Sequence, residues 1–361
     1  MNKTCLVTGG AGFIGCALSA RLADMFDTVI AVDNMHPQIH ATPARPAALH
    51  EAVRLVVADV TERSTWDDLL PGFRPDVVFH LAAETGTGQS LTEANRHANV
   101  NAVGTTQMMD ALVRHGAVPQ QVVLTSSRAV YGEGAWTDST GTAHYPGQRS
   151  KDQLERKQWD FPGLSPTPSV AGTTVPNPTS VYGAMKLAQE WLLKSWALSF
   201  GVDLKILRLQ NVYGPGQSLT NSYTGIVSLF ARLAREGKSI PVYEDGDILR
   251  DFVLIDDVAD AILAISQAPA GTPCLDVGSG KATSILDLAR TVAARYDAPA
   301  PHVNGMFRNG DVRAAWCDIA ATGEVLGWSP QYTVEAGIER LCRWIDAQSP
   351  APTRAEPARV A

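Results

Sequence analysis

The chain has 361 residues, 45% hydrophobic and 19% charged, with a formal net charge of −7. Such a chain buries a large core and is expected to fold as one larger and one smaller domain. The acidic balance and the lack of a basic run exclude general nucleic-acid binding, and no apolar stretch approaches the ~18 residues of a membrane helix.

Thr4 to Thr8 is an apolar, β-branched run that reads as a strand. Thr8-Gly9-Gly10-Ala11-Gly12-Phe13-Ile14-Gly15 follows and leads into a helical pattern over Phe13 to Met25. Glycine is needed where a strand turns tightly into a helix and backbone N–H groups approach a pyrophosphate, because any Cβ would fill that space. The helix N-terminus then faces the negative charge. A glycine-rich turn alone is common, and its context decides. Thr28 to Asp33 is a second apolar strand ending in an acid, about twenty residues on, where a carboxylate grips the adenosine ribose. That carboxylate repels a 2′-phosphate, and no arginine stands at Asn34, Met35 or His36 to neutralise one. The expected cofactor is therefore NAD, with Gly9, Gly12, Phe13, Ile14, Gly15, Asp33 and Asn34 as candidate contacts.

Further strands are predicted over Arg54 to Ala58, Val77 to Leu81, Val122 to Ser126 and Leu204 to Leu209, and helices over Thr92 to His115 and Val181 to Phe200. The alternation predicts an α/β fold, a doubly wound, Rossmann-like parallel sheet with a smaller α/β substrate lobe. Glu133 to Ser180 breaks the rhythm with prolines at 146, 162, 166, 168, 176 and 178 and reads as a long irregular insertion. The expected division is a cofactor domain over 1–211 that regains about 251–277, a second lobe over 212–250 and 278–348, and a disordered tail over 349–361. Cys5, Cys16, Cys274, Cys317 and Cys342 have no CxxC spacing and read as reduced thiols, with no metal site. No charged leader with an apolar signal region is visible, so the cytoplasm is the expected location.

Tyr182 and Lys186 stand four apart, on one face of the helix predicted from Val181. A phenol titrates near ~10 in water and is a poor base at neutral pH unless a cation, here Lys186 and an oxidised nicotinamide, stabilises the phenolate. The strand over Val122 to Ser126 runs into Ser127, and Thr125-Ser126-Ser127 places hydroxyls at the carboxyl edge of the sheet, where ligands bind. A serine there can hydrogen-bond a substrate oxygen and the phenol, while simple strand-end capping accounts for one of the two serines.

These stretches, with Asp59-Val60, His80-Leu81-Ala82-Ala83, Asn211 to Gly216, Arg250 to Val253 and Ile255 to Val258, stand in order over about the first 345 residues. In them the chain resembles the extended short-chain dehydrogenase/reductase family of nucleotide-sugar epimerases and dehydratases. The resemblance implies that Asp59 and Val60 flank the adenine and that Leu81, Ala82 and Ala83 line the cofactor cleft. It makes Tyr182 the base and sets Lys186 on the nicotinamide ribose. Asn211, Arg250 and Arg308 would hold the diphosphate and nucleoside of a nucleotide sugar, guanidinium forks suiting paired oxygens. A homodimer is also implied, through helices over Thr92 to His115 and Val181 to Phe200, with Leu187, Trp191 and Trp196 as apolar contacts. Burial of those side chains within one subunit is an equal account.

Dehydratases of this family carry an acid pair after the fifth strand that eliminates water from the sugar. Here the segment reads Ser127-Arg128-Ala129-Val130-Tyr131-Gly132, so Arg128 and Ala129 replace the pair. Oxidation and re-reduction without elimination remain, which is epimerisation: Tyr182 takes the hydroxyl proton as hydride moves to NAD, and the keto sugar turns over and is reduced on its other face. Glu84 to Gly88, Glu133-Gly134 and Gln217 to Ile226 further resemble the branch acting at C4 of dTDP-6-deoxy sugars, here dTDP-L-rhamnose giving dTDP-6-deoxy-L-talose. The implied sugar contacts are Thr85, Thr87, Ser127, Arg128 and Tyr223. UDP-galactose 4-epimerisation, keto-sugar reduction with NAD(P)H and non-catalytic cofactor sensing are the alternatives.

Overall fold

Apolar β-branched runs of four to seven residues build the centre of the molecule. The strands are β1 (Thr4–Thr8), β2 (Thr28–Asp33), β3 (Val53–Val57), β4 (Val77–His80), β5 (Gln121–Ser127) and β6 (Asp203–Leu209), joined at one edge by the shorter β7 (Leu275–Val277). A computed structural model describes residues 3–40, 42–219 and 225–348. In it all seven strands lie parallel in the order 3-2-1-4-5-6-7. Apart from the β2–β3 connection, whose described residues form only turns and bends, the crossovers contain helices and cover both faces, so the central strands are apolar on each side. Cys5, Val7, Phe79 and Val123 pack with Leu18, Leu22, Val258 and Ile262. On the other face Leu6, Val78, Val122 and Leu124 pack with Met108, Leu112, Leu193 and Trp196. This is the doubly wound, Rossmann-like α/β fold read from the sequence.

The longer helices are α1 (Phe13–Met25), α2 (Arg63–Leu69), α3 (Gly104–Arg114), α4 (Val181–Phe200), α5 (Ile226–Arg235), α6 (Ile255–Gln267), α7 (Ile285–Arg295) and α8 (Val334–Gln348). Helix α4 begins where the Ser180 hydroxyl accepts the Gly183 N–H at 3.1 Å and ends at Gly201, with φ +69°. The helix predicted over Thr92 to His115 is instead divided into Ala94–Ala98, a π turn over Asn99–Val103, and α3. The wider turn lets buried Asn101 act as a strand-like partner of Glu84: its side chain accepts the Glu84 N–H at 2.8 Å and donates to the Glu84 carbonyl at 2.9 Å. Trp196, named above as an interface contact, lies in the core of the subunit, whereas Trp191 is exposed.

Past Asn211 the chain forms a second cluster, with Phe230, Ile240, Leu288, Val292, Ile338 and Leu341 at its centre. Leu249–Arg250 pairs there with Thr283–Ser284 and Ala314–Ala315. Helix α6 then returns to pack on the sheet through Val258 and Ile262. The insertion is more ordered than its composition suggests. Trp136–Thr137 pairs with Ala143–His144 and Ser165–Pro166, and Trp136 meets Phe161 edge-on at 4.9 Å. Buried Arg149 grips Glu244 with two bonds of 2.8 Å, and Arg313 reaches Glu244, Asp245 and Asp160. This charged cluster ties the insertion to the second lobe. All five cysteines are free. Among the described residues no helix is long and apolar enough to cross a membrane, and no group of side chains suits a metal.

Candidate active site

A cleft of about 620 Å³ opens at the carboxyl edge of the sheet. Its floor is the turn from β1 into α1. Gly9 has φ +67°, and a Cβ there would lie 2.8 Å from the Ala82 backbone, so only glycine fits. A Cβ on Gly15 would stand 2.4 Å from the Gly10 carbonyl oxygen, which keeps α1 close against the turn. Gly9, Gly12, Phe13 and Ile14 line the cleft, with Gly15 behind them. Asp33 is fixed at the end of β2, where its carboxylate accepts the Ala11 N–H at 3.1 Å and the Met35 N–H at 2.9 Å. Asn34, Val60, Leu81, Ala82 and Ala83 complete this side. Asp59 does not line the cleft; it accepts from Asn34 at 3.0 Å and from Thr61. Burial raises its pKa, but these hydrogen bonds outweigh that and hold it below the usual carboxylate value. The turn, the helix N-terminus and the terminal carboxylate together fit a dinucleotide.

Tyr182 and Lys186 enter from α4, Ser127 from the end of β5, Asn211 from the short strand Asn211–Tyr213, Arg128 from the turn that follows β5, and Thr85 and Thr87 from the loop after β4. The N-terminus of α4 sits directly on the turn Arg128–Tyr131, since a Cβ on Gly183 would lie only 2.4 Å from the Ala129 carbonyl oxygen. This contact sets Tyr182 beside Ser127 in the cleft. The two candidate serines separate here. Ser126 donates to Glu190 at 2.5 Å, while Ser127 remains with the phenol and accepts the Ala129 N–H at 3.1 Å. Burial raises the Tyr182 pKa, opposed by the Ser127 hydrogen bond and the Arg128 charge. Burial brings Lys186 down to about 7, against the opposing pull of Glu190.

Glu190 and Ser90, which carry no motif of their own, and His80 support these side chains. Glu190 stands one turn past Lys186 on the same face and takes both a forked pair of bonds from Arg208, at 2.9 and 2.7 Å, and the Ser126 hydroxyl. The i, i+4, i+8 spacing of Tyr182, Lys186 and Glu190 is the signal that could have found it. Ser90 accepts the Tyr182 N–H at 3.0 Å. His80 is buried and its imidazole is pushed down to about 3, so it is neutral. Thr105 spends its hydroxyl proton on the Asn101 carbonyl at 2.7 Å, so His80 Nε2 donates to Thr105 at 2.9 Å and Nδ1 accepts from Thr8 at 2.7 Å. The Thr8 oxygen in turn accepts the Ala82 N–H at 3.2 Å, fixing the cofactor side of the cleft.

Two predicted arginines lie apart from the main cleft. Arg250 lines a small adjoining cavity with Thr87, Arg128 and Asp311, and donates to the Leu249 and Val312 carbonyls at 2.7 Å. Arg308 is exposed and stacks on Tyr243 at 5.1 Å, lining neither space. Tyr223 and the tail over 349–361 lie outside the described residues.

The glycine turn, the ribose-side carboxylate and the neighbouring Tyr182 and Ser127 line one continuous cleft, and the profile of the NAD dependent epimerase/dehydratase family matches residues 5–153 and 160–277. The chain belongs to this family. Its cofactor is NAD. Over 345 residues, 95% of each chain, it is 62% identical to a dTDP-L-rhamnose 4-epimerase of Burkholderia thailandensis. It is 31% identical to a UDP-glucose 4-epimerase of Mycolicibacterium smegmatis, over 95% of this chain and 99% of the other. Among solved structures, the Thermus thermophilus UDP-glucose 4-epimerase in complex with NAD superposes with a TM-score of 0.76 at 26% identity, covering 96% of this chain and 100% of that one. The present chain is an NAD-dependent epimerase.

Proposed function

We propose that this protein interconverts dTDP-L-rhamnose and dTDP-6-deoxy-L-talose in the cytoplasm by oxidation and re-reduction at C4. The observation that carries the reading is a complete Ser127, Tyr182 and Lys186 set with Arg128 and Ala129, rather than acids, at the next two positions. The 62% identity to a dTDP-L-rhamnose 4-epimerase supports the substrate. NAD, when bound, supplies a hydride acceptor that returns the hydride within the same turnover. Tyr182 accepts the proton of the C4 hydroxyl through its contact with Ser127 and gives it back after the 4-keto sugar has turned over. Lys186 binds the nicotinamide ribose and adds positive charge beside the phenolate. Asp33 accepts from the adenosine ribose hydroxyls. The lobe over 212–250 and 278–348 takes the nucleotide sugar, with Asn211, Arg250 and Arg308 for its diphosphate and nucleoside and Thr85, Thr87 and Tyr223 as candidate sugar contacts. Two copies associate through the helices over Thr92 to His115 and Val181 to Phe200, a reading supported by exposed Val103, Val113, Trp191 and Leu198.

The test is incubation of purified protein with dTDP-L-rhamnose and no added reductant, followed by NMR of the sugar. A mixture of the two C4 epimers is expected. A strict need for stoichiometric NADPH, or faster turnover of UDP-galactose, would overturn the reading.

A further inference from the structure

Arg128 opens the turn Arg128–Tyr131, directly after Ser127. Its Nε donates to Asn211 Oδ1 at 2.8 Å, and the Asn211 N–H is itself tied to the Asp251 carbonyl at 3.0 Å. The two terminal guanidinium nitrogens have no hydrogen-bond partner among the described residues. Arg128 lines the main cleft with Ser127 and Tyr182, and the adjoining cavity with Arg250 and Asp311. A guanidinium anchored at one nitrogen and otherwise open, with α4 pressed onto its turn through Gly183, is placed to act on the first residues of that helix.

We propose that Arg128 is a positioning cation for Tyr182: anchored by Asn211, its guanidinium stands beside the phenol and stabilises the phenolate together with Lys186. This rests on Tyr182 being the base, as proposed above. Burial lowers Lys186 to about 7, which weakens it as a source of positive charge near neutral pH. Burial, then the nearby Arg250, bring Arg128 down to about 9, so it keeps its charge there. The other charges around Tyr182 are already engaged. Glu190 on α4 is held by Arg208 and Ser126. Glu84, from the loop packed on the start of α4, is paired with Arg96 at 2.8 Å. From the second lobe, Arg250 spends its guanidinium on backbone carbonyls, while Asp311 and, from the insertion, Glu133 favour the Arg128 cation.

The experiment follows tyrosinate absorbance against pH in the NAD-loaded enzyme, taking the difference between each protein and its Tyr182→Phe version to isolate this phenol. Arg128→Met should raise the phenol titration by about one pH unit or more, and the acid limb of kcat should move with it. Near neutral pH kcat then falls ~10-fold with KM within ~3-fold, and Arg128→Lys restores most of the shift. An unmoved phenol titration with a ~10-fold rise in KM would overturn the proposal and make Arg128 a substrate anchor. If Arg128→Met does not fold, Asn211→Leu, which frees the guanidinium, must give a smaller shift in the same direction; no shift there also overturns it. The phenol titration needs no substrate, so a protein that failed on dTDP-L-rhamnose would leave this result standing or falling by itself.

Discussion

Replacing Gly183 by alanine sets two known effects against each other. In an ordinary helix the change stabilises, because alanine has the better propensity by ~1 kcal/mol. Here the new Cβ would stand 2.4 Å from the Ala129 carbonyl oxygen, where ordinary contact begins at 3.4 Å. The obstacle is backbone, so α4 or the turn must give way by about 1 Å, and overpacking of this kind costs ~1–3 kcal/mol. The steric effect therefore wins, with a net loss of up to ~2 kcal/mol read from denaturant midpoints at constant slope. The displacement falls between Tyr182 and Ser127, and misplacing a reacting group by ~1 Å costs about 10²-fold in rate. Turnover of dTDP-L-rhamnose by NMR should fall by that factor, while bound NAD, held mainly by the glycine turn and Asp33, stays near one per subunit. A Gly183→Ala enzyme with kcat within about twofold of the parent and a raised midpoint would refute the packing argument.

Tyr182→Phe should lose ~10²–10⁴-fold in kcat with little change in KM or NAD content, measured by steady-state kinetics and cofactor absorbance. The neutral, buried His80 makes folding acid-sensitive. Its folded pKa, near 3, lies below the unfolded ~6.5, so the unfolded chain binds more protons between those values and stability falls as pH drops below ~6.5. Between about pH 6.5 and 5.5 this amounts to ~1 kcal/mol, and the acid-dependent loss in His80→Asn should be smaller by that much in paired denaturant titrations at these two pH values. Leu198 is 87% exposed on α4. Leu198→Glu combined with Trp191→Glu should leave the subunit fold within about 1 kcal/mol yet shift sedimentation from dimer to monomer; an unchanged dimer would place the interface elsewhere.

Local rules explain what could be read directly from the chain. Strands β1 and β2 carry near-continuous β-branched and apolar residues bounded by turn formers, and α1 and α4 have clear limits, so the observed ends coincide with the predicted ones. The edge strand β7 is not legible because Leu275-Asp276-Val277 is too short for a period and hides an acid whose partners, the Tyr131 hydroxyl at 2.9 Å and the Ala171 N–H at 2.7 Å, lie 145 and 105 positions earlier. The π turn at Asn99–Val103 was missed for a similar reason: its cause is the Glu84 backbone, which no helical pattern near Asn101 announces. The site shows the same divide. Tyr182, Lys186, Ser127 and the glycine turn sit in contiguous motifs, whereas the roles of Glu190, His80 and Ser90 depend on partners brought together by the fold. Arg308 illustrates the converse, a motif match whose side chain rests on Tyr243 outside the cleft.

The charged cluster of Arg149, Glu244, Arg313, Asp245 and Asp160 limits how this protein can be shortened or recombined. Arg149 and Glu244 are buried, so a version trimmed of its proline-rich segment would leave the Glu244 carboxylate inside the protein with Arg313 alone, without the two charge-assisted bonds from Arg149. Chimaeras with relatives must therefore exchange residues 149 and 160 together with 244–245 and 313, as one inherited unit. Segments more than eighty positions apart in sequence are, in this respect, a single part.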